Sequence, residues 1–177
     1  SHEAISFAGH IGLEKLIVLF DDNAISIDGG TALSVSDNQL ARFLACGWDV
    51  SAVDGHNAAA ISEAIDAAKQ TDKPSMIACK TVIGFGAPNK EGTSATHGAP
   101  LGEEELSAAR KKLGWTAAPF DVPADVLSAW RAAGTRGKAE RSAWTKRLAD
   151  SGHQIDFTAA MAGDMPEGWI NAVNKHK

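Results

Sequence analysis

Apolar residues recur at helical intervals over 3–13, where Ile5, Phe7, Ala8, Ile11 and Leu13 share one side and Gly12 suits a helix stop. The pattern then changes period. Leu16-Ile17-Val18-Leu19-Phe20 is an unbroken apolar run between charged neighbours, as expected of a strand buried on both faces. A second helix is expected over 37–46, with Asp37 as its cap, Leu40, Phe43 and Leu44 inward, and Gly47 as its stop. A short strand over 49–53 follows. Asn57 then caps a helix that puts Ile61, Ala64, Ile65 and Ala68 on one face, and Pro74 precedes a strand over 76–82. Strand, helix, strand, helix and strand with short links predict a parallel α/β sheet with right-handed crossovers, half of a doubly wound fold.

Residues 83–101 break the periodicity. They are rich in glycine and proline and form one long loop leaving the carboxyl end of the third strand. Loops of this length usually carry function, and the carboxyl edge of an α/β sheet is where ligands bind. Glu103-Glu104-Glu105 open another helix running to about Leu113, the early acids complementing its dipole. Past Pro119 the chain turns to Ala, Arg, Lys and Trp, with helices expected from 122 through Trp130 and over 135–148, 155–161 and 169–173. The expected organisation is an α/β domain over 1–118 and a helical linker region over 119–177. The tryptophans Trp48, Trp115, Trp130, Trp144 and Trp169 read as packing and linker anchors, and Arg110-Lys111-Lys112 as a solvated face.

With 177 residues, 44% of them hydrophobic, the chain can bury one ordinary core. A net charge of −5 gives no long-range attraction for nucleic acid or anionic lipid, which leaves a phosphorylated small molecule held by local groups. No apolar run reaches the roughly 18 residues of a membrane span, and no basic stretch leads into an apolar one at the start, so the cytoplasm is the default expectation. Cys46 and Cys79 lie in apolar stretches without partners at metal-ligand spacing and read as reduced core residues. With no initiator Met, and Ser1 directly before a helical pattern, the start is expected to be a cut rather than a natural terminus.

Three runs carry the candidate chemistry: Phe20-Asp21-Asp22-Asn23-Ala24-Ile25-Ser26-Ile27-Asp28-Gly29-Gly30, Ile83-Gly84-Phe85-Gly86-Ala87-Pro88, and Thr96-His97-Gly98-Ala99-Pro100-Leu101-Gly102. Asn23 offers an amide oxygen at a strand end, and the turn can aim the Ile25 carbonyl at the same hard cation. The same run also favours a turn without any metal. His97 can donate to a phosphate or a sugar hydroxyl and transfer a proton near neutral pH, or simply be solvated. His2, His10, His56, His153 and His176 gain no such support and read as structural or solvated.

These runs resemble transketolase, a thiamine diphosphate enzyme, from Ser1 to about Trp115. The resemblance implies that Asn23 and the Ile25 carbonyl bind the cation, Mg2+ or Ca2+, and that Ile27 and Ile83 pack near the cofactor rings, core packing being their alternative. It implies that His97 contacts both the cofactor diphosphate and the donor sugar. Glu3 then corresponds to a glutamate at the interface of a homodimer, sharing protons between active sites, although as an early helical acid it can equally serve the dipole. The family's cation-binding aspartate and its aminopyrimidine-activating glutamate have no counterpart here, so the chain alone is expected to be inactive. The implied activity is transfer of a two-carbon ketol unit from a ketose phosphate to an aldose phosphate. Dihydroxyacetone synthase shares the pattern, whereas the His97 loop argues against deoxyxylulose-phosphate synthase. A non-catalytic half of a split thiamine diphosphate enzyme is the alternative from a different class.

Overall fold

The computed structural model describes residues 2–176, which divide into two compact units, 2–116 and 117–176. In the first unit, helix α1 (His2–His10) leads through a turn into strand β1 (Ile17–Asp22). A small antiparallel hairpin follows, β2 (Ile25–Ser26) with β3 (Gly29–Gly30). Then come α2 (Gln39–Ala45), β4 (Asp49–Asp54), α3 (Ala58–Ala68) and β5 (Ser75–Lys80). After the long loop, α4 (Glu103–Lys112) closes the unit. Apart from the β2–β3 hairpin, which was not expected, the strand, helix and loop order expected from the apolar periodicity is the order observed.

The sheet runs β1-β5-β4, all parallel. Strand β5 is therefore central, and its alternating side chains divide the core in two. Met76 and Ala78 pack with Ala8 of α1, Trp48, and Leu40 and Phe43 of α2. Ile77 and Cys79 pack on the other face with Ala64, Ile65 and Ala68 of α3. The crossover from β1 to β4 passes over one face and the return from β4 to β5 over the other. Reversing both direction and face preserves the hand, so the two crossovers agree with each other.

Two details, one of a side chain and one of the backbone, make this packing possible. Trp48 is buried, donates its indole N–H to the Ile5 carbonyl at 2.9 Å, and meets Phe43 edge-on at 4.9 Å. Beside it, a Cβ on Gly9 would lie 1.8 Å from the Cys46 carbonyl oxygen, so only glycine lets α1 approach the end of α2 this closely. Both cysteines are free; burial first, and the Asp21 carboxylate second, raise the Cys79 thiol above its ordinary value.

Several expectations need correction. β1 was expected to be buried on both faces, but it is an edge strand within the described residues, with Leu19 51% and Phe20 37% exposed. The cap of α2 is Asn38, which accepts from the Ala41 N–H at 2.9 Å, while Asp37 pairs with Arg42 instead. Trp130, expected as an anchor, is 79% exposed.

The second unit holds α5 (Ala124–Thr135), α6 (Lys138–Asp150), α7 (Gln154–Ala162) and α8 (Trp169–His176). Trp144 of α6 and Phe157 of α7 meet at 5.6 Å, and among the described residues of this unit none is fully buried. Among the described residues no helix is long and apolar enough to cross a membrane.

Candidate functional site

The three long strands end level, with Asp22 and Asp54 both in register with Lys80. That shared carboxyl edge is tied across by polar pairs. Lys80 Nζ lies 2.9 Å from the Asp22 carboxylate, the Thr81 hydroxyl donates to Asp21, and the Thr81 N–H donates to the Asp22 carbonyl. The chain leaving β1 turns immediately. Asn23 Oδ1 accepts the Ile25 N–H at 3.0 Å, its Nδ2 donates to Asp21 Oδ2 at 3.2 Å, and Ala24 takes a φ of 61°. The turn reading of this run is therefore realised, and it fixes the Asn23 amide in place. A cleft of about 510 Å³ lies here, lined among others by Asp21, Asn23, Ile25, Thr31, Asn38 and Ala78.

The donor set decides what this turn can hold. Asn23 Oδ1 has two lone pairs, of which the Ile25 N–H takes one. Asp21 and Asp22 are both committed to neighbours, and among the described residues no three His, Cys, Asp or Glu side chains cluster as a metal site. The turn thus fits a hard cation as a source of neutral oxygens, provided that a bound anion such as a diphosphate completes the charge.

The long loop is far from free. At its start, His56 Nε2 accepts the Val82 N–H at 2.9 Å, and the ring stacks on Phe85 at 4.1 Å. Glu91 accepts the Gly86 N–H and is bridged by Lys112 Nζ at 2.9 Å. Lys112 and the Gly86 amide hold the Glu91 carboxyl below its ordinary range. The buried Glu105 accepts from the Asn89 side chain at 2.9 Å and from the backbone N–H groups of Asn89 and Lys90 at 2.7 and 3.0 Å. Those bonds, the Asn89 side chain first, hold its carboxyl low as well. Further on, a Cβ on Gly84, whose φ is +66°, would lie 2.6 Å from the Thr96 methyl, so this glycine lets the two limbs of the loop touch.

The candidate residues are thereby placed. Asn23 and Ile25 line one cleft at the carboxyl edge. Ile83 and His97 belong to the loop leaving the same edge, on either side of the Gly84–Thr96 contact. Ile83 is half-buried and accepts the Gly92 N–H, while His97 is exposed with its own N–H bonded to Ser94. Ile27, in the hairpin turn, is 73% exposed, so core packing does not account for it. Glu3 lies apart, lining a cavity with Phe7, His10 and Cys46 beside the residues that precede β4, at the amino end of the sheet. Within the solvated face of its run, Lys111 and Lys112 are exposed, and Lys112 also pairs with Glu91. Sequence reasoning missed the anchoring by Glu91 and Glu105; the signal for Glu105 was its place in a helical first turn directly after a glycine-rich loop. His56 is structural, one of the two readings open to it.

A parallel sheet with helices on both faces, and a polar turn and ordered loop on its carboxyl edge, defines an α/β ligand-binding domain. Comparison with known proteins gives the family. Residues 1–168 match the family described as transketolase, thiamine diphosphate binding domain, and the chain belongs to it. It is 52% identical over 164 residues to a transketolase from Cereibacter sphaeroides, covering 93% of this chain and 25% of that one. A solved transketolase from Leishmania mexicana superposes with a TM-score of 0.83 at 39% identity, over 94% of this chain and 26% of the other. A transketolase variant from Pichia stipitis, solved in complex with fructose-6-phosphate, gives a TM-score of 0.84 at 34% identity, over 94% and 26%. The chain thus spans about a quarter of the length of the relatives it matches.

Proposed function

We propose that the chain supplies the diphosphate- and cation-holding face of a transketolase that moves a two-carbon ketol unit from a ketose phosphate to an aldose phosphate, using thiamine diphosphate with Mg2+ or Ca2+. The observation that carries this reading is convergence: in a member of this family, the Asn23–Ile25 turn and the Ile83–His97 loop leave adjacent strands at one sheet edge. Thiamine diphosphate, when bound, supplies the electron sink that lets a carbon–carbon bond beside a carbonyl break.

The chain's own residues do the holding. Asn23 Oδ1 and the Ile25 carbonyl bind the cation. His97 donates to the diphosphate and to a hydroxyl of the donor sugar, and holds a proton there. Ile27 and Ile83 exclude water from the cofactor rings. Glu3 shares protons across the interface of a homodimer, with residues 1–118 forming the C-terminal part of the diphosphate-binding domain and 119–177 linking to the remainder of a cytoplasmic enzyme. In the complete enzyme, His97→Ala should lower donor-sugar turnover by about 100-fold while changing cofactor retention by less than about threefold. Unchanged donor kinetics would remove His97 from the site.

A further inference from the structure

Resting on that reading, we propose that Glu105 is a positioning residue for His97, acting through a clasp that closes the 90–101 segment. The first turn of α4 carries three acids, and a dipole role would serve all three alike. Only Glu105 is buried, at 8% exposure, whereas Glu103 and Glu104 are exposed. Its two oxygens accept three hydrogen bonds from Asn89 and Lys90.

The grip continues along the loop. Lys90 Nζ donates to the Leu101 carbonyl at 2.7 Å, so both ends of the segment are tied to each other and, through Glu105, to α4. Inside it a relay of bonds runs forward. The Thr93 hydroxyl donates to the Lys90 carbonyl at 2.7 Å, the Thr96 hydroxyl to the Thr93 carbonyl at 2.9 Å, and the His97 and Gly98 N–H groups to Ser94 and Thr96 at 3.0 Å each. His97 sits at the end of that relay. Its backbone position is thus set from a carboxylate eight residues further along the chain.

The chemistry of the clasp supplies its own control. Glu105→Ala leaves three donors without a partner. Glu105→Gln keeps an acceptor oxygen for the two backbone N–H groups, and a turned Asn89 amide can accept from its Nε2, so the conservative variant can restore all three bonds. Lys90→Met cuts the tie to Leu101 and removes the ammonium charge near Glu105, but keeps the three hydrogen bonds to that carboxylate.

The test is made on the complete enzyme with two readouts, hydrogen exchange of the 90–101 amides and steady-state ketol transfer. Glu105→Ala should speed exchange across 90–101 by about tenfold or more and lower kcat by about tenfold with little change in donor KM. The β5 amides should stay protected, Lys90→Met should show the same pattern more weakly, and Glu105→Gln should return both readouts to within about threefold of wild type. Unchanged exchange in Glu105→Ala overturns the proposal, as does faster exchange with unchanged kcat, or a loss that Glu105→Gln does not restore. A wild-type enzyme without ketol transfer sinks the functional reading and this proposal together. Active wild type with unaltered variants sinks this proposal alone.

Discussion

Asn23→Asp separates the turn-forming role of this residue from its role toward a cation. The substitution keeps an oxygen that can accept the Ile25 N–H, but it replaces the Nδ2 that donates to Asp21 at 3.2 Å with a second carboxylate oxygen. Two unit charges at that separation repel by about 1.3 kcal/mol in bulk water and by about 5 kcal/mol at an effective dielectric constant of 20. Asp21 is exposed, so the lower figure governs. Losing the amide hydrogen bond adds about 0.5–1.5 kcal/mol, giving a total near 2 kcal/mol. For a unit of this size that lowers the melting temperature by about 8 °C.

The assay is thermal unfolding in low salt with a chelator, followed by near-ultraviolet circular dichroism, which senses the packed Trp48. Adding Mg2+ or Ca2+ should then restore the variant much more than the wild type, because the new carboxylate and Asp21 form an anionic pair beside the Ile25 turn. A cation at about 100 times its dissociation constant stabilises by about 2.7 kcal/mol, enough to offset the loss. A variant that melts within about 2 °C of wild type in chelator would refute the proximity of Asn23 to Asp21. Equal cation shifts in both proteins would refute the cation-facing turn.

Trp48→Phe removes the bond to the Ile5 carbonyl and part of a buried ring, costing about 2–3 kcal/mol, so exchange of the β5 amides should rise by roughly 30- to 150-fold. Trp130→Phe, at an exposed position, should leave the same amides within about threefold. Gly9→Ala forces a Cβ into the Cys46 carbonyl and should expose Trp48, read as a red-shifted fluorescence maximum relative to wild type. Lowering the pH should loosen the long loop before the sheet. The Glu91 and Glu105 carboxyls are both held below their ordinary value of 4.5, so their contribution is complete above that value and lost as pH falls through the lowered ones. Exchange of the 86–92 amides, corrected for intrinsic rates, should therefore rise below pH 4.5 ahead of the β5 amides; simultaneous loss would contradict it.

The order of elements was legible because each side chain's local pattern sets its period, and periods of 2 and 3.6 differ over a few residues. What was lost depended on neighbours in space. The apolar run of β1 says that Leu19 and Phe20 favour burial, but not which element covers them. Asp37 and Asn38 are equally able to cap a helix, and the choice was settled by Arg42, which takes Asp37 as its partner. At the candidate site, Asn23, Ile25, Ile83 and His97 stood out because polar or strained residues at strand ends and in glycine-rich loops are conspicuous in sequence. His56 and Glu105 were not, because the groups they grip lie 26 and 16 residues away; the place of Glu105 in a helical first turn marks the residue but not its partners.

The strand order has a consequence for biosynthesis. β1 and β4 never touch each other; every hydrogen bond in the three-stranded sheet involves β5, the last of the three to leave the ribosome. Until Lys80 has emerged, the nascent chain can form helices and the small hairpin but not this sheet. Leu19, Phe20, Val50 and Val53 wait in water through that interval, a natural target for a chaperone that binds extended apolar segments.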